Sequence, residues 1–122
     1  VSDVWSYSTN EYSRYIGVDK NNNVYHGFSN KLYKFDKDGN VVWSTNSIGG
    51  GLIDYIFFDY RNFIYAVTNN QYLNKYNSNG LLIKSIKLPK VSSYVVSSEK
   101  DFIYVPSGSD VIKYNFDYKV IS

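Results

Sequence analysis

The chain has 122 residues, of which 43% are hydrophobic and 19% aromatic, and its formal net charge is +2. This length fits one modest domain, and the apolar content excludes a disordered chain. Cysteine is absent, which excludes disulfides, thiol catalysis and zinc sites built on thiolates. The charged residues of both signs are interspersed without a basic stripe, so nucleic acid is not an expected partner. No apolar run approaches the ~20 residues of a membrane-spanning helix.

In chain order, the sequence predicts short strands separated by polar turns rich in Asn and Gly. The N-terminal Val4-Trp5-Ser6 matches Val42-Trp43-Ser44, so it predicts the fourth strand of a unit that precedes the first complete one. Three units of strands follow, a pattern typical of an antiparallel meander. The predicted strands are 14–19, 24–28, 31–35 and 41–44, then 54–59, 63–68, 72–76 and 81–86, then 94–98, 102–105, 111–114 and a last one from Val120.

These units are internal repeats with a period of about forty residues. Each contains a tyrosine in its second strand, a polar residue six positions before it, and a lysine in its third strand. The repeated sets are Asp19, Tyr25 and Lys34; Asp59, Tyr65 and Lys75; and Ser98, Tyr104 and Lys113. Four strands in about forty residues are typical of a propeller blade.

The sequence therefore predicts an all-β fold, a β-propeller segment of about three four-stranded antiparallel blades. The predicted boundaries are 1–8 for the fourth strand of a preceding blade, 12–48 for blade 1, 52–88 for blade 2 and 92–122 for an incomplete blade 3.

The first repeat resembles that of the PQQ-like (quinoprotein dehydrogenase-like) β-propellers. That repeat has a V-Y strand, an L-Y-x-x-D segment and a turn leading to a V-x-W strand, which match here Val24-Tyr25, Leu32 to Asp36 and Val41 to Trp43. The later repeats match in outline only, because Lys84 and Ser122 replace Trp43, and Tyr118 replaces Gly39 and Gly80. The resemblance implies the architecture, and such repeats also occur in non-enzymatic surface modules and phage tail components.

Three blades leave an uncovered apolar face at each end, and such faces favour association. Two copies could form a six-bladed ring about a twofold axis. Alternatively, the remaining blades belong to a larger assembly or a longer parent chain, of which this sequence is a segment. The strand at 1–8 suits both arrangements.

No catalytic, cofactor-binding or metal-binding residue is predicted, and the chain is not expected to be an enzyme. His26 aligns with Ala66 and Val105, which indicates a packing position. The run Asp36-Lys37-Asp38-Gly39-Asn40 begins like a calcium loop of the EF-hand type, but Ser47 stands where that loop needs glutamate. We therefore interpret the run as a hairpin turn.

One rim of the predicted propeller gathers the loops between second and third strands. Tyrosine and asparagine there suit either sugars or a protein surface. The candidate rim surface consists of Asn30, Lys31, Asn69, Asn70, Tyr72 and Asp110.

These observations favour a non-catalytic structural or protein-interaction module. A virion component, such as a phage tail or baseplate, or a bacterial surface protein fits the composition, so an extracellular or virion-associated location is expected. The alternative is a lectin-like propeller that binds glycan.

Overall fold

The computed structural model describes residues 4–8, 15–46, 51–59, 61–88, 97–98, 102–107 and 109–115. Within these ranges the chain forms eleven β-strands, and the same residues form no helix long and apolar enough to cross a membrane. The strands are β1 (Tyr15–Val18), β2 (Val24–Phe28), β3 (Lys31–Phe35), β4 (Val41–Asn46), β5 (Ile53–Phe58), β6 (Ile64–Thr68), β7 (Tyr72–Tyr76), β8 (Leu82–Lys87), β9 (Ser97–Ser98), β10 (Phe102–Ser107) and β11 (Asp110–Asn115).

The strands form three antiparallel sheets, in the orders β1-β2-β3-β4, β5-β6-β7-β8 and β11-β10-β9, which are blades 1, 2 and 3. Strands that follow each other in sequence are neighbours in each sheet, so the predicted meander is confirmed. The fourth strand predicted from Val120 lies outside the described residues. The register repeats between blades, with Tyr25 opposite Lys34, Tyr65 opposite Lys75 and Tyr104 opposite Lys113.

A five-residue turn joins β1 to β2. The side-chain Oδ1 of Asp19 accepts hydrogen bonds from the backbone amides of Asn21 and Asn23, at 2.8 and 3.0 Å. The amide of Asp19 donates to the carbonyl oxygen of Asn23, and Asn22 takes a positive φ of 66°. Aspartate and asparagine favour such turns because their side chains bond to the backbone just ahead of them.

The same turn joins β3 to β4 and β7 to β8. Asp36 and Asn77 provide the accepting side chain, and the left-handed fourth position is taken by Gly39 and Gly80, with φ of 84° and 82°. The carboxylate of Asp36 thus holds a hairpin turn, as the sequence predicts.

Blade 1 packs against blade 2 through an apolar layer between the two sheets. Side chains alternate along a strand, so Tyr15 and Gly17 point from β1 toward blade 2 while Ile16 and Val18 point away. A Cβ on Gly17 would lie 3.2 Å from the Phe58 ring, which shows how closely the sheets approach. The buried residues of this layer are Tyr25, Leu32, Ile53, Ile56, Ile64, Ala66 and Tyr76.

A second apolar layer lies on the other side of blade 2. Phe57 and Tyr65 stack there with ring centroids 4.7 Å apart, beside buried Leu73. Ile112 of blade 3 packs against this layer. Each blade therefore has a forward face, turned toward the next blade along the chain, and a backward face, turned the opposite way.

Candidate functional site

Two of the predicted rim residues, Asn69 and Asn70, lie in the turn between β6 and β7, and a third, Tyr72, begins β7. This turn has one residue more than the two-residue Ser29–Asn30 turn of blade 1, and Gln71 takes a positive φ of 75° within it. The hydroxyl of Thr68 donates to Oδ1 of Asn70 at 2.6 Å and accepts the amide of Tyr72 at 3.0 Å. The turn is therefore held by its own side chains.

Asn69 ties this turn to the segment that enters β5. Its Oδ1 accepts the amide of Leu52 at 3.0 Å, and its own amide donates to the Leu52 carbonyl at 2.8 Å. A Cβ on Gly51 would crowd the side-chain oxygens of Asn70 and Asn69, the latter at 2.7 Å, so a larger residue there would displace these side chains. Asn69 thereby fixes Leu52, the residue that precedes β5.

Lys87 of β8 completes this cluster. Its Nζ donates to the carbonyl oxygen of Asn70 at 2.8 Å and lies 4.8 Å from the centroid of the half-buried Tyr72 ring. Tyr72 therefore already has a cation over its ring.

The structure brings Asn69, Asn70 and Tyr72 into one cluster, whereas the other rim candidates lie in the corresponding positions of different blades. Asn30 belongs to the β2–β3 turn, exposed Lys31 begins β3, and exposed Asp110 begins β11. Whether these positions bind a ligand stays a prediction.

A second cluster lies inside the joint between blades. The hydroxyl of Tyr25 donates to Oδ2 of Asp19 at 2.9 Å, and Tyr65 donates to Asp59 at 2.8 Å. Burial raises the pKa of Tyr25, and the hydrogen bond to the Asp19 carboxylate adds to this effect. Asn62 of blade 2 reaches the same Asp19 oxygen at 3.4 Å. Asp19 thus joins its own turn to its own sheet and to the next blade.

The lysine of each repeat lies over the tyrosine that pairs with it. The Nζ atoms lie 5.7 Å from the Tyr25 ring centroid for Lys34, 5.7 Å from that of Tyr65 for Lys75, and 5.6 Å from that of Tyr104 for Lys113. Lys34 and Lys75 are buried, at 8% and 7% exposure. A buried ammonium needs hydrogen-bond acceptors.

For Lys34 the acceptor belongs to the next blade. Its Nζ donates to the carbonyl oxygen of Ser78, in the β7–β8 turn, at 3.0 Å. The indole Nε1 of Trp43 donates to the same oxygen at 2.9 Å. One backbone carbonyl of blade 2 therefore receives two donors from blade 1, an arrangement that we call the carbonyl joint.

The N-terminal segment 4–8 forms the tryptophan hydrogen bond of such a joint on blade 1. Trp5 donates to the carbonyl oxygen of Lys37, the residue of blade 1 that corresponds to Ser78, at 3.1 Å. A Cβ on Gly39 would lie 2.5 Å from the Trp5 ring, just as one on Gly80 would lie 2.7 Å from Trp43. Trp5 thus makes the same contacts with the β3–β4 turn of blade 1 that Trp43 of β4 makes with the β7–β8 turn of blade 2.

The backward face of blade 1 is covered only in part. Tyr7 of segment 4–8 packs against Phe35, with ring centroids 5.0 Å apart. Farther inward, Ile16 and Val18 of β1 are 58% and 55% exposed. The corresponding Ile56 in blade 2 is 2% exposed.

The forward face of blade 3 shows the same contrast. Val111 is 69% exposed, whereas Leu32 and Leu73, which hold the same register position in blades 1 and 2, are fully buried. Positions that are apolar and buried between neighbouring blades are therefore exposed on blades 1 and 3. We call these two surfaces the end faces: Ile16 and Val18 on the backward face of blade 1, and Val111 on the forward face of blade 3.

His26 lies on the backward face of blade 1, opposite Ile16 and Tyr33 in the sheet. Its ring contacts Phe28 at a centroid distance of 5.1 Å, and burial lowers its pKa. These surroundings favour the neutral imidazole and agree with a packing position.

No family model matches this sequence, and no curated protein matches it. Among solved structures, the chain is similar to BamB from Moraxella catarrhalis, with a TM-score of 0.79 and 13% identity over 99% of this chain and 40% of that one. It is also similar to virginiamycin B lyase from Staphylococcus aureus, with a TM-score of 0.71 and 15% identity over 88% of this chain and 39% of that one.

These neighbours are β-propellers, and the chain spans about two fifths of their length. At such low identity the likeness concerns the fold alone. The predicted architecture is therefore confirmed: this chain is a β-propeller segment of about three antiparallel blades.

Proposed function

We propose that this chain is a non-catalytic structural and interaction module whose two end faces bind further propeller blades. The observation that carries this proposal is the exposure of Val111, at 69%, at a position that is fully buried in blades 1 and 2. Together with Ile16 and Val18 on the other end face, it gives apolar surface at positions that the repeat otherwise buries between blades, which favours an interaction site.

A non-catalytic role is supported by how the polar groups of the described residues are used. Asp19 and Asp59 accept backbone amides and a tyrosine hydroxyl, and Asp36 accepts two backbone amides. His26 packs against aromatic and aliphatic neighbours. These hydrogen bonds stabilise the turns and the blades, so the carboxylates that accept them have a structural role.

The setting that we propose is a virion tail or baseplate or a bacterial surface, on the composition of the chain alone. The glycan-binding alternative receives less support from the rim. Oδ1 of Asn69 accepts the Leu52 amide, and Lys87 lies over the Tyr72 ring. We therefore keep the protein-interaction role as the conclusion.

Lysine substitutions at the end faces test the proposal. Ile16→Lys and Val111→Lys place a charge on an end face at positions that are already exposed, so we expect both to fold and to associate at least about tenfold more weakly. Ile83→Lys is the matched control, because Ile83 is 48% exposed on the outer strand β8. Sedimentation velocity of each purified chain over a range of concentrations measures the association. Equal behaviour of all three variants and the unmodified chain would contradict the proposal.

A further inference from the structure

We propose that the end face of blade 1 is a pH-sensitive binding surface, on which His26 must be neutral for a partner to bind. This inference rests on the proposed function, because it describes how binding at the same surface is regulated. It does not depend on which molecule supplies the covering blade. Mild acid would charge the imidazole and release the partner.

His26 borders the open part of this face. It is half-buried, and its neighbours across the sheet are Ile16 in β1 and Tyr33 in β3. Ile16 is 58% exposed, whereas Phe35, on the outer part of the same face, is covered by Tyr7 of segment 4–8. The imidazole therefore lies at the surface that a covering blade would bury.

Blade 2 shows what covering does to this position. Ala66 holds in β6 the place that His26 holds in β2, and Ile56 lies beside it as Ile16 lies beside His26. Blade 1 covers these two residues, so that Ala66 is 0% and Ile56 2% exposed. Both belong to the apolar layer between the blades. A partner placed on blade 1 in the same manner would remove the imidazole from water, and an imidazolium there would lose its hydration.

The side chains that share this face with His26 would not compensate its charge. In strands β1 to β4 and segment 4–8, the charged or titratable ones are Lys31, opposite Phe28, and the phenols of Tyr33 and Tyr7, which contact each other. None of these three is a carboxylate, so an imidazolium would find no counter-ion among them. Lys31 adds a like charge to the same face.

A covering blade of the same kind would not supply a counter-ion either. The titratable and charged side chains on the forward face of blade 1 are Tyr15, Asp19, Tyr25 and Lys34. Asp19 accepts the Tyr25 hydroxyl and the amide of the β5–β6 turn, and Lys34 donates to the β7–β8 turn. Tyr15 packs against a tyrosine of β5. These groups have their partners elsewhere, and the Ala66 position lies in an apolar layer.

The direction of the pH effect follows from the two environments of His26. Burial already lowers the pKa of His26 below 6.5 in the free chain, and covering the face lowers it further. Because the pKa is lower in the bound state, binding has its full strength above the pKa of the free chain and weakens as the pH falls through it. His26 is the only histidine of the chain, and carboxylates ordinarily titrate near pH ~4, so the range from about pH 5 to 7 reports on this residue.

Sedimentation velocity of the purified chain at pH 7.0 and pH 5.0 tests the inference against His26→Gln. Glutamine keeps a polar side chain but does not titrate. We expect the association constant of the unmodified chain to fall about tenfold between the two pH values, and that of His26→Gln to change less than about twofold. Circular dichroism verifies that both chains are folded at both pH values. An equal fall in the two chains, or no fall in the unmodified chain, would overturn the inference.

Two further variants keep the test decisive if glutamine packs poorly. His26→Ala introduces the residue that blade 2 has at this position, and we expect it to associate equally well at both pH values. His26→Lys carries a charge at both, and we expect weak association at pH 7.0 as well as at pH 5.0. Association of His26→Lys as strong as that of the unmodified chain at pH 7.0 would show that a charge at this position costs nothing, which would contradict the inference.

Failure of this inference is distinguishable from failure of the proposed function. Association that Ile16→Lys weakens but that is equal at pH 7.0 and pH 5.0 would overturn the pH sensitivity alone and leave the end faces as interaction sites. A chain that stays monomeric at both pH values, with no change in Ile16→Lys or Val111→Lys, would contradict the proposed function and this inference with it.

Discussion

The indole Nε1 of Trp43 in blade 1 donates a hydrogen bond to the backbone carbonyl oxygen of Ser78 in blade 2, at 2.9 Å. The indole lies directly on the β7–β8 turn, where a Cβ on Gly80 would come within 2.7 Å of it. Trp5 and Gly39 repeat this pairing one blade earlier. In the next repeat the sequence has Lys84 in place of the tryptophan and Tyr118 in place of the glycine, so both partners change together.

Gly80→Ala should lower the free energy of unfolding by about 1–3 kcal/mol. Gly80 has a φ of 82°, which strains any residue with a Cβ, and the added methyl would meet Trp43. Urea unfolding followed by circular dichroism measures the change. In a Trp43→Ala background the same substitution should cost less, since only the backbone strain remains. Equal costs in both backgrounds would contradict the close contact.

Asp19→Asn should weaken the dependence of stability on acid pH. Burial raises the pKa of Asp19, but hydrogen bonds from the Asn23 amide, the Tyr25 hydroxyl and the Asn21 amide lower it below its ordinary value of 3.8. Because the pKa is lower in the folded state, this carboxylate contributes stability above pH 3.8 that is lost as the pH falls through the folded value.

Asparagine keeps the oxygen that accepts the turn amides, as Asn77 does between β7 and β8, but it carries no charge. We therefore expect Asp19→Asn to lose about 1–3 kcal/mol at neutral pH and to show a shallower decline below pH ~4. Urea unfolding at a series of pH values checks both effects, with Asp38→Asn in an exposed turn position as the control. An unaltered acid slope would count against the assigned role of Asp19.

Alkaline pH should unfold the chain through its buried tyrosines. Burial raises the pKa of Tyr76 from 10.0 to about 12. The neutral phenol therefore stabilises the fold fully below pH 10, and this contribution is lost as the pH rises toward the folded value. Tyr76→Phe should reduce the steepness of alkaline unfolding, measured by tyrosinate absorbance together with circular dichroism. An ordinary titration of Tyr76 in the folded chain would contradict its burial.

Lys34→Met should destabilise the joint between blades 1 and 2 by about 1–2 kcal/mol. The substitution keeps much of the side-chain volume but removes the ammonium that donates to the Ser78 carbonyl at 3.0 Å. Lys37→Met is the control, because its side chain is exposed and only its backbone carbonyl takes part in a joint. If both variants unfold at the same urea concentration as the unmodified chain, the Lys34 bond contributes nothing measurable.

Much of the fold is visible in the sequence because each blade forms from neighbouring residues. The strands β2, β3 and β7 have the predicted bounds. The recurrence of Asp19 and Tyr25 as Asp59 and Tyr65 contained a further signal. The hydrogen bond from the tyrosine hydroxyl to the aspartate carboxylate could not be predicted, because the sequence does not show that the two side chains point the same way.

The joint could not be predicted in the same manner. Its acceptor is a backbone carbonyl, which any residue provides, so Ser78 and Lys37 have no common side chain to reveal it. The register lysines were visible as a pattern, but their partners lie in the next blade, more than forty residues away for Lys34. The rim candidates share a loop position in the sequence. That position does not reveal that the Asn69 side chain accepts the Leu52 amide beside β5.

The solution mass of the 122-residue chain, measured by light scattering after gel filtration across a range of concentrations, tests the central claim most directly. We expect a mass above the 14.1 kDa of one chain that rises with concentration, and we expect Ile16→Lys and Val111→Lys to reduce it while Ile83→Lys does not. A stable species of 14.1 kDa at every concentration, unaltered by any of the three substitutions, would contradict the claim that the end faces are interaction sites.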